Sequence, residues 1–256
     1  MRSDFGDIRF SDENETIEYP YHLLSKTDGV SATFEFKVPP FNANENFNIK
    51  IHTGNPEASD ISNPNSVYTI FRKGNVIDGW QILVGTVTIE DGAIKLTSTV
   101  NTLIIPDIIL SQNYKIKCDT NIYRGALTTY RAGGILFSRI NTSEGYFTSR
   151  MANNTEHAMR ITSGRDTDPT YSILAYTGFV AHDQNKFYSE EVCVDNNKNV
   201  KYYLENELIH SLQIGTIGAG NIGISGQGNK YKNFRVMPYI NPEPTLNAIP
   251  NEWTVK

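Results

Sequence analysis

Two stretches decide the fold class: Phe187-Tyr-Ser-Glu-Glu-Val-Cys-Val194 and Val200-Lys-Tyr-Tyr-Leu-Glu-Asn-Glu-Leu208, whose strand-like runs are Phe187 to Val194 and Val200 to Leu204. Both are rich in the β-branched and aromatic residues that favour β-strands. The polar segment 195–199 between them predicts a reverse turn, and Glu205-Asn206 predicts a second tight turn. This part of the chain is therefore expected to form consecutive strands joined by short turns.

The same pattern of strand-like runs and turns extends along the whole chain. Further runs lie at Asp7 to Phe10, Thr33 to Val38, Phe47 to His52, Gln81 to Ile89, Ala93 to Thr99, Asn113 to Tyr123, Ala132 to Ile140, Gly145 to Met151, Ala158 to Ser163, Tyr171 to Tyr176, Gly220 to Ser225 and Lys232 to Met237. Between two of these runs, Glu90-Asp91-Gly92 predicts a hairpin turn. Strands at a spacing of roughly 8–12 residues are typical of a sandwich or jelly roll.

We therefore predict an all-β protein with three parts. Residues 1–72 are expected to form a small β domain, residues 73–240 a jelly-roll β-sandwich, and residues 241–256 an extended Pro-rich tail. Cys118 and Cys193 each lie inside a strand-like run and in no metal-ligand spacing. Two buried thiols and one inter-strand disulfide are both compatible with this placement.

Charge and hydropathy exclude two classes of function. The net charge is −5, and no run of Lys and Arg is longer than a pair, whereas a nucleic-acid binder would carry a basic stripe. The most apolar segment, Leu103 to Leu110, is interrupted by Pro106 and Asp107 and is shorter than the roughly 18 apolar residues of a membrane span. We expect neither a nucleic-acid partner nor a membrane span.

Residues 2–70 carry a further pattern. Asp7-Ile-Arg-Phe10, Phe36-Lys-Val-Pro39 and Ile51-His-Thr-Gly-Asn-Pro56 follow one another in order. This order resembles an uncharacterised domain family found beside lectin-like domains in archaeal and bacterial surface proteins. The family has tyrosines before its Gly-Asn-Pro turn, where this sequence has His52 and Thr53.

The start of the chain is compatible with two interpretations. The first residues, Met1-Arg-Ser-Asp4, are polar and do not form a signal peptide. In the family just named, one or two strands usually precede the matching segment. Met1 is then either an internal methionine, with a strand and a signal sequence before it, or the true start.

The second resemblance covers residues 75–240. Seven short pieces occur in order: Gly79-Trp80, Asp91-Gly92, Ala132-Gly-Gly-Ile-Leu-Phe137, Glu144-Gly-Tyr-Phe147, Val200 to Leu208, Gly223-Ile-Ser-Gly-Gln-Gly228 and Phe234-Arg-Val236. Together they resemble the laminin-G-like, concanavalin A-like jelly rolls of adhesive and glycan-active proteins. The resemblance implies carbohydrate recognition on a concave sheet face.

Glycan recognition needs aromatic rings against sugar C–H faces and planar polar groups against hydroxyls. The middle strands and their loops offer such side chains at Tyr123, Arg124, Tyr130, Arg131, Tyr146, Arg150, His157, Arg160, Tyr171, Tyr176 and His182. Alternation within a strand would place Tyr146, Thr148 and Arg150 on one face. The candidate ligand-binding residues are Tyr146, Arg150, Tyr171 and Tyr176.

Two turns have the spacing of calcium loops. Asp166-Thr-Asp168 and Asp195-Asn-Asn197 place oxygen ligands at positions i and i+2. The resemblance to lectin-like jelly rolls also implies one such ion, so calcium is the candidate cofactor and Asp166 and Asp168 are the candidate ligands. Ordinary polar turns are the alternative interpretation.

The pattern of carboxylates does not favour catalysis. A retaining glycosidase needs two carboxyl groups about 5–5.5 Å apart. Glu191 and Asp195 are four residues apart, about 13 Å along a strand, and Glu205 and Glu207 fall at a turn. We therefore predict that the protein is not an enzyme.

The resulting prediction is a non-catalytic, extracellular adhesion or carbohydrate-recognition protein whose partner is a glycan or glycoprotein surface. The first alternative is a structural component of a virion, such as a decoration, tail or receptor-binding protein, or of a surface filament. Its partners would be other subunits of that assembly, and a true start at Met1 would favour it. The second alternative is a glycoside hydrolase, which the missing carboxylate pair disfavours.

Overall fold

The computed structural model describes residues 1–39, 48–97, 101–122, 131–141, 144–152, 156–164, 172–178, 180–181, 183 and 185–241. The chain divides into two compact units, Met1–Thr69 and Ile70–Pro244, which we call the N-terminal unit and the C-terminal unit. The described residues contain many strands and one short helix. The predicted all-β class is confirmed, while the predicted tail lies almost entirely outside the described residues.

The N-terminal unit contains two small antiparallel sheets. Its elements are β1 (Arg9–Asp12), β2 (Glu18–Tyr19), β3 (Tyr21–Thr27), β4 (Ser31–Phe36), β5 (Ile49–His52) and α1 (Pro64–Val67). One sheet has the order β2-β1-β5, and the other is the hairpin β3-β4. Asn63 caps the N-terminus of α1, where its side chain accepts from the backbone N–H of Asn65.

Aromatic side chains form the core of this unit. The ring of Phe10 stacks on Phe36 with centroids 4.8 Å apart. It also meets Tyr21 and Phe34 edge to face, at 5.5 Å in both cases. Such pairs add to the stability that area burial provides, which explains how so small a unit holds a defined core.

The Asp-Ile-Arg-Phe and Gly-Asn-Pro segments are tied together by hydrogen bonds. The buried Asp7 carboxylate accepts from the backbone N–H of Gly54 at 2.6 Å and from that of Arg2 at 2.9 Å. Arg9 donates to the carbonyl oxygen of Ser59 at 2.6 Å. Asp7, just before β1, and Arg9, the first residue of β1, therefore hold the loop that follows β5, so the spacing of these segments has a structural explanation.

The C-terminal unit begins with β6 and contains all the remaining strands. Their bounds are β6 (Ile70–Arg72), β7 (Gln81–Val84), β8 (Val87–Glu90), β9 (Ala93–Leu96), β10 (Asn101–Leu110), β11 (Tyr114–Ile122), β12 (Arg131–Asn141), β13 (Glu144–Ala152), β14 (Glu156–Gly164), β15 (Ser172–Tyr176), β16 (Val180–Ala181), β17 (Tyr188–Val194), β18 (Asn199–Leu204), β19 (Glu207–Gln213), β20 (Gly220–Gly226) and β21 (Asn229–Pro238).

These strands form two eight-stranded antiparallel sheets. Sheet I has the order β15-β14-β13-β12-β20-β10-β7, and β16 pairs with β14. Sheet II has the order β19-β18-β17-β11-β21-β9-β8, and β6 pairs with β21. The sheets pack face to face around one large core, which includes Ile116, Phe137, Ile161, Ile224 and Phe234. This is the predicted β-sandwich.

The hairpin turns follow the sequence prediction, but one predicted strand is wrong. Asp91 and Gly92 have φ of 53° and 71°, the left-handed values of a two-residue hairpin turn. The predicted strand Gln81 to Ile89 is in fact two strands that belong to different sheets. Thr86 lies between them, and its backbone carbonyl accepts from the N–H of Thr97. Alternation alone could not reveal this crossing.

Candidate functional site

The predicted binding strip on β13 lies inside the sandwich. Tyr146, Thr148 and Arg150 do share one face, as alternation requires, but that face points into the core. Tyr146 is 5% exposed, with its hydroxyl 2.6 Å from the hydroxyl of Thr216, and Arg150 is fully buried. The prediction that Tyr146 and Arg150 contact a glycan is corrected on this ground, because a ligand on the sheet surface cannot reach them.

Arg150 forms a buried ion pair between the two sheets. Its Nε donates to Oε1 of Glu190 at 3.0 Å, and both side chains are fully buried. Its Nη2 donates to the carbonyl and hydroxyl oxygens of Thr120 at 2.8 and 2.7 Å. Oε2 of Glu190 accepts from Thr148 at 3.3 Å, and the guanidinium lies 4.5 Å from the ring centroid of Tyr188.

This ion pair stabilises the core and does not indicate a ligand-binding site. A buried charge is tolerated when it is paired and when hydrogen bonds satisfy its other polar atoms. Glu190 from β17 and Arg150 from β13 satisfy each other across the sandwich. The guanidinium of Arg150, which was predicted to contact a glycan, is therefore part of the core.

The opposite face of sheet I carries a row of mainly apolar residues. We call this face, which points away from the core, the outer face. Cross-strand partners in register share a face, and the outer face therefore has an apolar row of Ile173, Thr162, Phe147, Leu136, Gly223 and Ile104. Ile104, Leu136 and Phe147 form a small cluster of their own, separate from the main core.

A second, polar row runs beside the apolar row. It contains Tyr176, Arg160, Ser149, Gly134, Ser225 and Thr102. The pairs Gly133–Arg150 and Leu136–Phe147 keep one register between β12 and β13, which places Gly134 opposite Ser149. Between these pairs, the N–H of Ile135 donates to the hydroxyl of Thr148 at 2.9 Å. From β15 to β10 both rows cross five strand spacings, about 24 Å at about 4.8 Å each.

The outer face is open at its β15 end and sheltered towards its centre. Tyr176 is 48% exposed and Ile173 is 51% exposed, whereas Ser149 is only 2% exposed. The guanidinium carbon of Arg160 lies 5.2 Å from the ring centroid of Tyr176. Oγ of Ser149, directly opposite Arg160 in the ladder, has no hydrogen-bond partner among the described residues.

An aromatic ring, a guanidinium and an unsatisfied buried hydroxyl thus lie in line on neighbouring strands. A ring can cover the C–H face of a sugar, and the two polar groups can donate to sugar oxygens. Of the three predicted ligand-binding residues that the structure describes, Tyr146, Arg150 and Tyr176, only Tyr176 lies at this open end. Tyr171 lies outside the described residues.

The candidate calcium ligands Asp166 and Asp168 also lie outside the described residues. The other acidic turn is built differently from a calcium loop. The buried Asp195 carboxylate accepts from the backbone N–H of Asn197 and from the backbone and side chain of Asn199, at 2.8–2.9 Å, and from Asn241 at 3.0 Å. Burial would raise the pKa of Asp195, but these hydrogen bonds outweigh it and lower the pKa. Asp195 therefore organises its own turn.

The other acidic residues that the sequence brought forward have structural partners. Glu191 lies 3.3 Å from Nζ of Lys115 and 2.7 Å from Nζ of Lys117, on the side of sheet II that faces away from the core. Glu205 lies at the β18–β19 turn, where it pairs with Lys186 at 2.8 Å and accepts from the N–H of Ser189. Among the described residues, no group of three or more His, Cys, Asp and Glu could hold a metal ion.

The two cysteines are separate buried thiols. Cys118 lies in the core, whereas Cys193 alternates with the core residues Val192 and Val194 and so points to the other side of sheet II. Two side chains on opposite faces of one sheet cannot join in a disulfide. Of the two interpretations that the sequence allowed, the structure has the free thiols.

Sequence comparison finds a family match in the N-terminal part of the chain. Residues 4–80 match a family described as "Domain of unknown function (DUF2341)". A search of curated protein sequences finds no match. An uncharacterised domain at the start of the chain is therefore shown, while the link to surface proteins stays a prediction. No helix in the described residues has the length and apolar character needed to cross a membrane.

Solved structures resemble a much larger part of the chain. A carbohydrate-binding module, CBM66 from Bacillus subtilis, matches with a TM-score of 0.52 and 18% identity over 62% of this chain and 95% of that one. A Bacillus subtilis protein of unknown function with a galectin-like fold matches with a TM-score of 0.50 and 9% identity, over 66% and 98%. Identities this low show the fold alone, and the predicted jelly roll is confirmed.

Proposed function

We propose that the C-terminal unit is a non-catalytic carbohydrate-binding module that holds a glycan on the outer face of sheet I. The observation that carries the proposal is the line of Tyr176, Arg160 and Ser149 across β15, β14 and β13. The fold that the unit shares with a carbohydrate-binding module supports it. The sugar would contact the exposed part of the Tyr176 ring.

Each side chain in the line has a separate role. The ring of Tyr176 supplies an apolar surface that the C–H groups of a sugar can cover. Arg160, next to that ring, donates N–H groups to sugar oxygens. Ser149 supplies a hydroxyl that can both donate and accept. Since a buried hydroxyl without a partner costs free energy, a ligand oxygen that bonds to it gains stability.

The proposal extends to the setting of the protein. A module of this kind, on an extracellular protein, would attach the chain to a glycan or glycoprotein surface. The N-terminal unit would have a separate role. We further propose that Asp166 and Asp168 bind one calcium ion through their carboxylate oxygens. Addition of calcium should then raise the thermal midpoint of the wild type, and Asp166→Asn should abolish this increase.

A glycan array tests the central proposal. Wild type should bind at least one class of glycan, and Tyr176→Ala and Arg160→Gln should each lose about tenfold or more in affinity, the effect of one strong contact. Leu208→Ala, which truncates a residue 50% exposed on sheet II, is the matched control and should bind as wild type does. Tyr171→Ala tests the remaining predicted residue.

Three outcomes would contradict all or part of the proposal. If wild type binds glycans and the Tyr176 and Arg160 variants bind equally well while folded, the binding site lies elsewhere. If wild type binds nothing on a broad array, a structural role in a virion or surface assembly becomes the better explanation. Hydrolysis of any array glycan by wild type would contradict the non-catalytic part.

A further inference from the structure

Sheet I ends in an exposed strand. β15 and β16 follow one another along the same side of β14, so residues 172–181, which we call the sheet I edge, terminate the sheet. Most of the described residues of this edge are exposed. Within the described part of the chain, the edge forms hydrogen bonds with β14 alone. The backbone groups of a terminal strand that point away from its sheet can pair with a further strand.

The sheet I edge carries no charge. Its sequence, Ser172-Ile-Leu-Ala-Tyr-Thr-Gly-Phe-Val-Ala181, contains no charged residue and no proline. Proteins normally protect an exposed edge with charges, prolines, bulges or short strands. The other strands that end the two sheets fit this rule, because β7 and β8 have four residues each and β19 contains Glu207. The sheet I edge has a bulge at Leu174, but the side chain there is apolar and 40% exposed.

Exposed apolar side chains lie on both faces of the sheet I edge. Ile173 and Tyr176, on the outer face, are 51% and 48% exposed. Val180 pairs with His157, which shares a face with the core residue Met159, so Val180 points to the other side of the sheet and is 47% exposed. A strand added beside the edge would cover apolar surface on both faces. Such a cluster of exposed apolar residues is typical of a protein contact.

The partner that fits this edge is the same edge of a second copy. In a dimer with two-fold symmetry, the segment would run antiparallel to itself, so each side chain would meet one from the same ten residues. Like charges directly opposite each other destabilise a pair of strands, and this segment has none. We propose that the chain forms a two-fold dimer through its sheet I edge. The outer faces of both copies then form one continuous surface, and a single glycan chain can contact the Tyr176 rings of both copies.

Sedimentation velocity of the full chain tests the dimer. One pair of strands is a small interface, so wild type should change from monomer to dimer between about 1 and 300 µM. Leu174→Lys and Val180→Lys should each weaken association about tenfold or more, because each copy brings a charge to the interface. Both residues are exposed, so the variants should stay folded, which circular dichroism checks. Leu208→Lys is the control, since it adds the same charge to β19 of sheet II at a residue that is 50% exposed, and it should associate as wild type does.

Hydrogen–deuterium exchange at low and high protein concentration locates the interface independently of the variants. The amides of Ser172–Tyr176 should exchange more slowly at high concentration, with Glu207–Gln213 unchanged. A wild type that stays monomeric up to about 300 µM would overturn the proposal. So would folded Leu174→Lys and Val180→Lys proteins that associate as wild type does, or association that only Leu208→Lys abolishes. Glycan binding by a monomer would leave the proposed function intact while the dimer fails, so the two proposals are tested separately.

Discussion

Replacing Glu190 by glutamine removes the negative charge from the buried cluster and leaves its shape nearly unchanged. Arg150 would then be a fully buried cation without a carboxylate at 3.0 Å. Breaking a buried ion pair by removing one partner costs about 3–5 kcal/mol. Arg150 would keep the oxygens of Thr120 and the ring of Tyr188. For that reason we expect the lower end, a loss of about 3 kcal/mol in the free energy of unfolding.

A loss of that size is large compared with the total stability of a domain, about 5–15 kcal/mol. Urea unfolding followed by tryptophan fluorescence measures it. The sequence has two tryptophans, so a Trp253→Phe background leaves the signal to Trp80, which packs on Phe234 at 5.1 Å in the C-terminal unit. The control is Asp91→Asn, which makes the same acid-to-amide change at a residue 2.8 Å from Lys230 with a side chain that is 77% exposed. An exposed pair contributes about 0–1 kcal/mol.

A double-mutant cycle compares wild type, Glu190→Gln, Arg150→Met and the double variant Arg150→Met/Glu190→Gln. With both charges removed, no uncompensated ion is left in the core, so the double variant should lose at least about 1 kcal/mol less than the sum of the single losses. The reasoning is refuted if Glu190→Gln unfolds within about 1 kcal/mol of wild type with an unchanged m-value, or if the single losses simply add.

Three further predictions concern the packing and titration of the C-terminal unit. A Cβ at Gly223 would lie 1.9 Å from a backbone oxygen of the neighbouring strand, so Gly223→Ala should cost about 3 kcal/mol or more in urea unfolding, while Gly215→Ala, which meets nothing within 4 Å, should change little. Cys118 and Cys193 should react with a thiol reagent only after denaturation, because both are buried and burial raises the pKa of Cys118; zero thiols in denaturant would instead indicate a disulfide. Because the pKa of Asp195 is lowered in the folded state, its ionised carboxylate stabilises the fold at pH values above the unfolded-state pKa, and this contribution is lost as the pH falls through the folded-state pKa. The difference in unfolding free energy between wild type and Asp195→Asn should therefore shrink in acid. A difference that stays constant with pH would count against the hydrogen-bond explanation.

Local patterns in the sequence predicted the strands and their turns correctly where neighbouring residues determine the structure. The Asp91-Gly92 turn needs left-handed backbone at both residues, and the sequence supplies one of the pairs that favour it. Alternation in β13 also grouped Tyr146 with Arg150 correctly. What alternation cannot give is the side of the sheet that faces the core.

The error at Arg150 has a physical cause. An arginine in a strand is normally placed at the surface, because burying its charge is costly. The partner that makes burial possible, Glu190, lies 40 positions later on a strand of the other sheet. No local pattern connects the two residues. Ser149 was missed for the converse reason: a lone serine gives no signal until the structure shows that its hydroxyl is buried beside Arg160.

Hydrogen–deuterium exchange of the backbone amides, with and without a glycan that the array identifies, tests most directly that the outer face of sheet I is the binding site. The account predicts slower exchange in Glu156–Gly164 and Ser172–Tyr176 when the glycan is bound, with Asn199–Leu204 and Glu207–Gln213 of sheet II unchanged. Slower exchange confined to sheet II or to the N-terminal unit would contradict it.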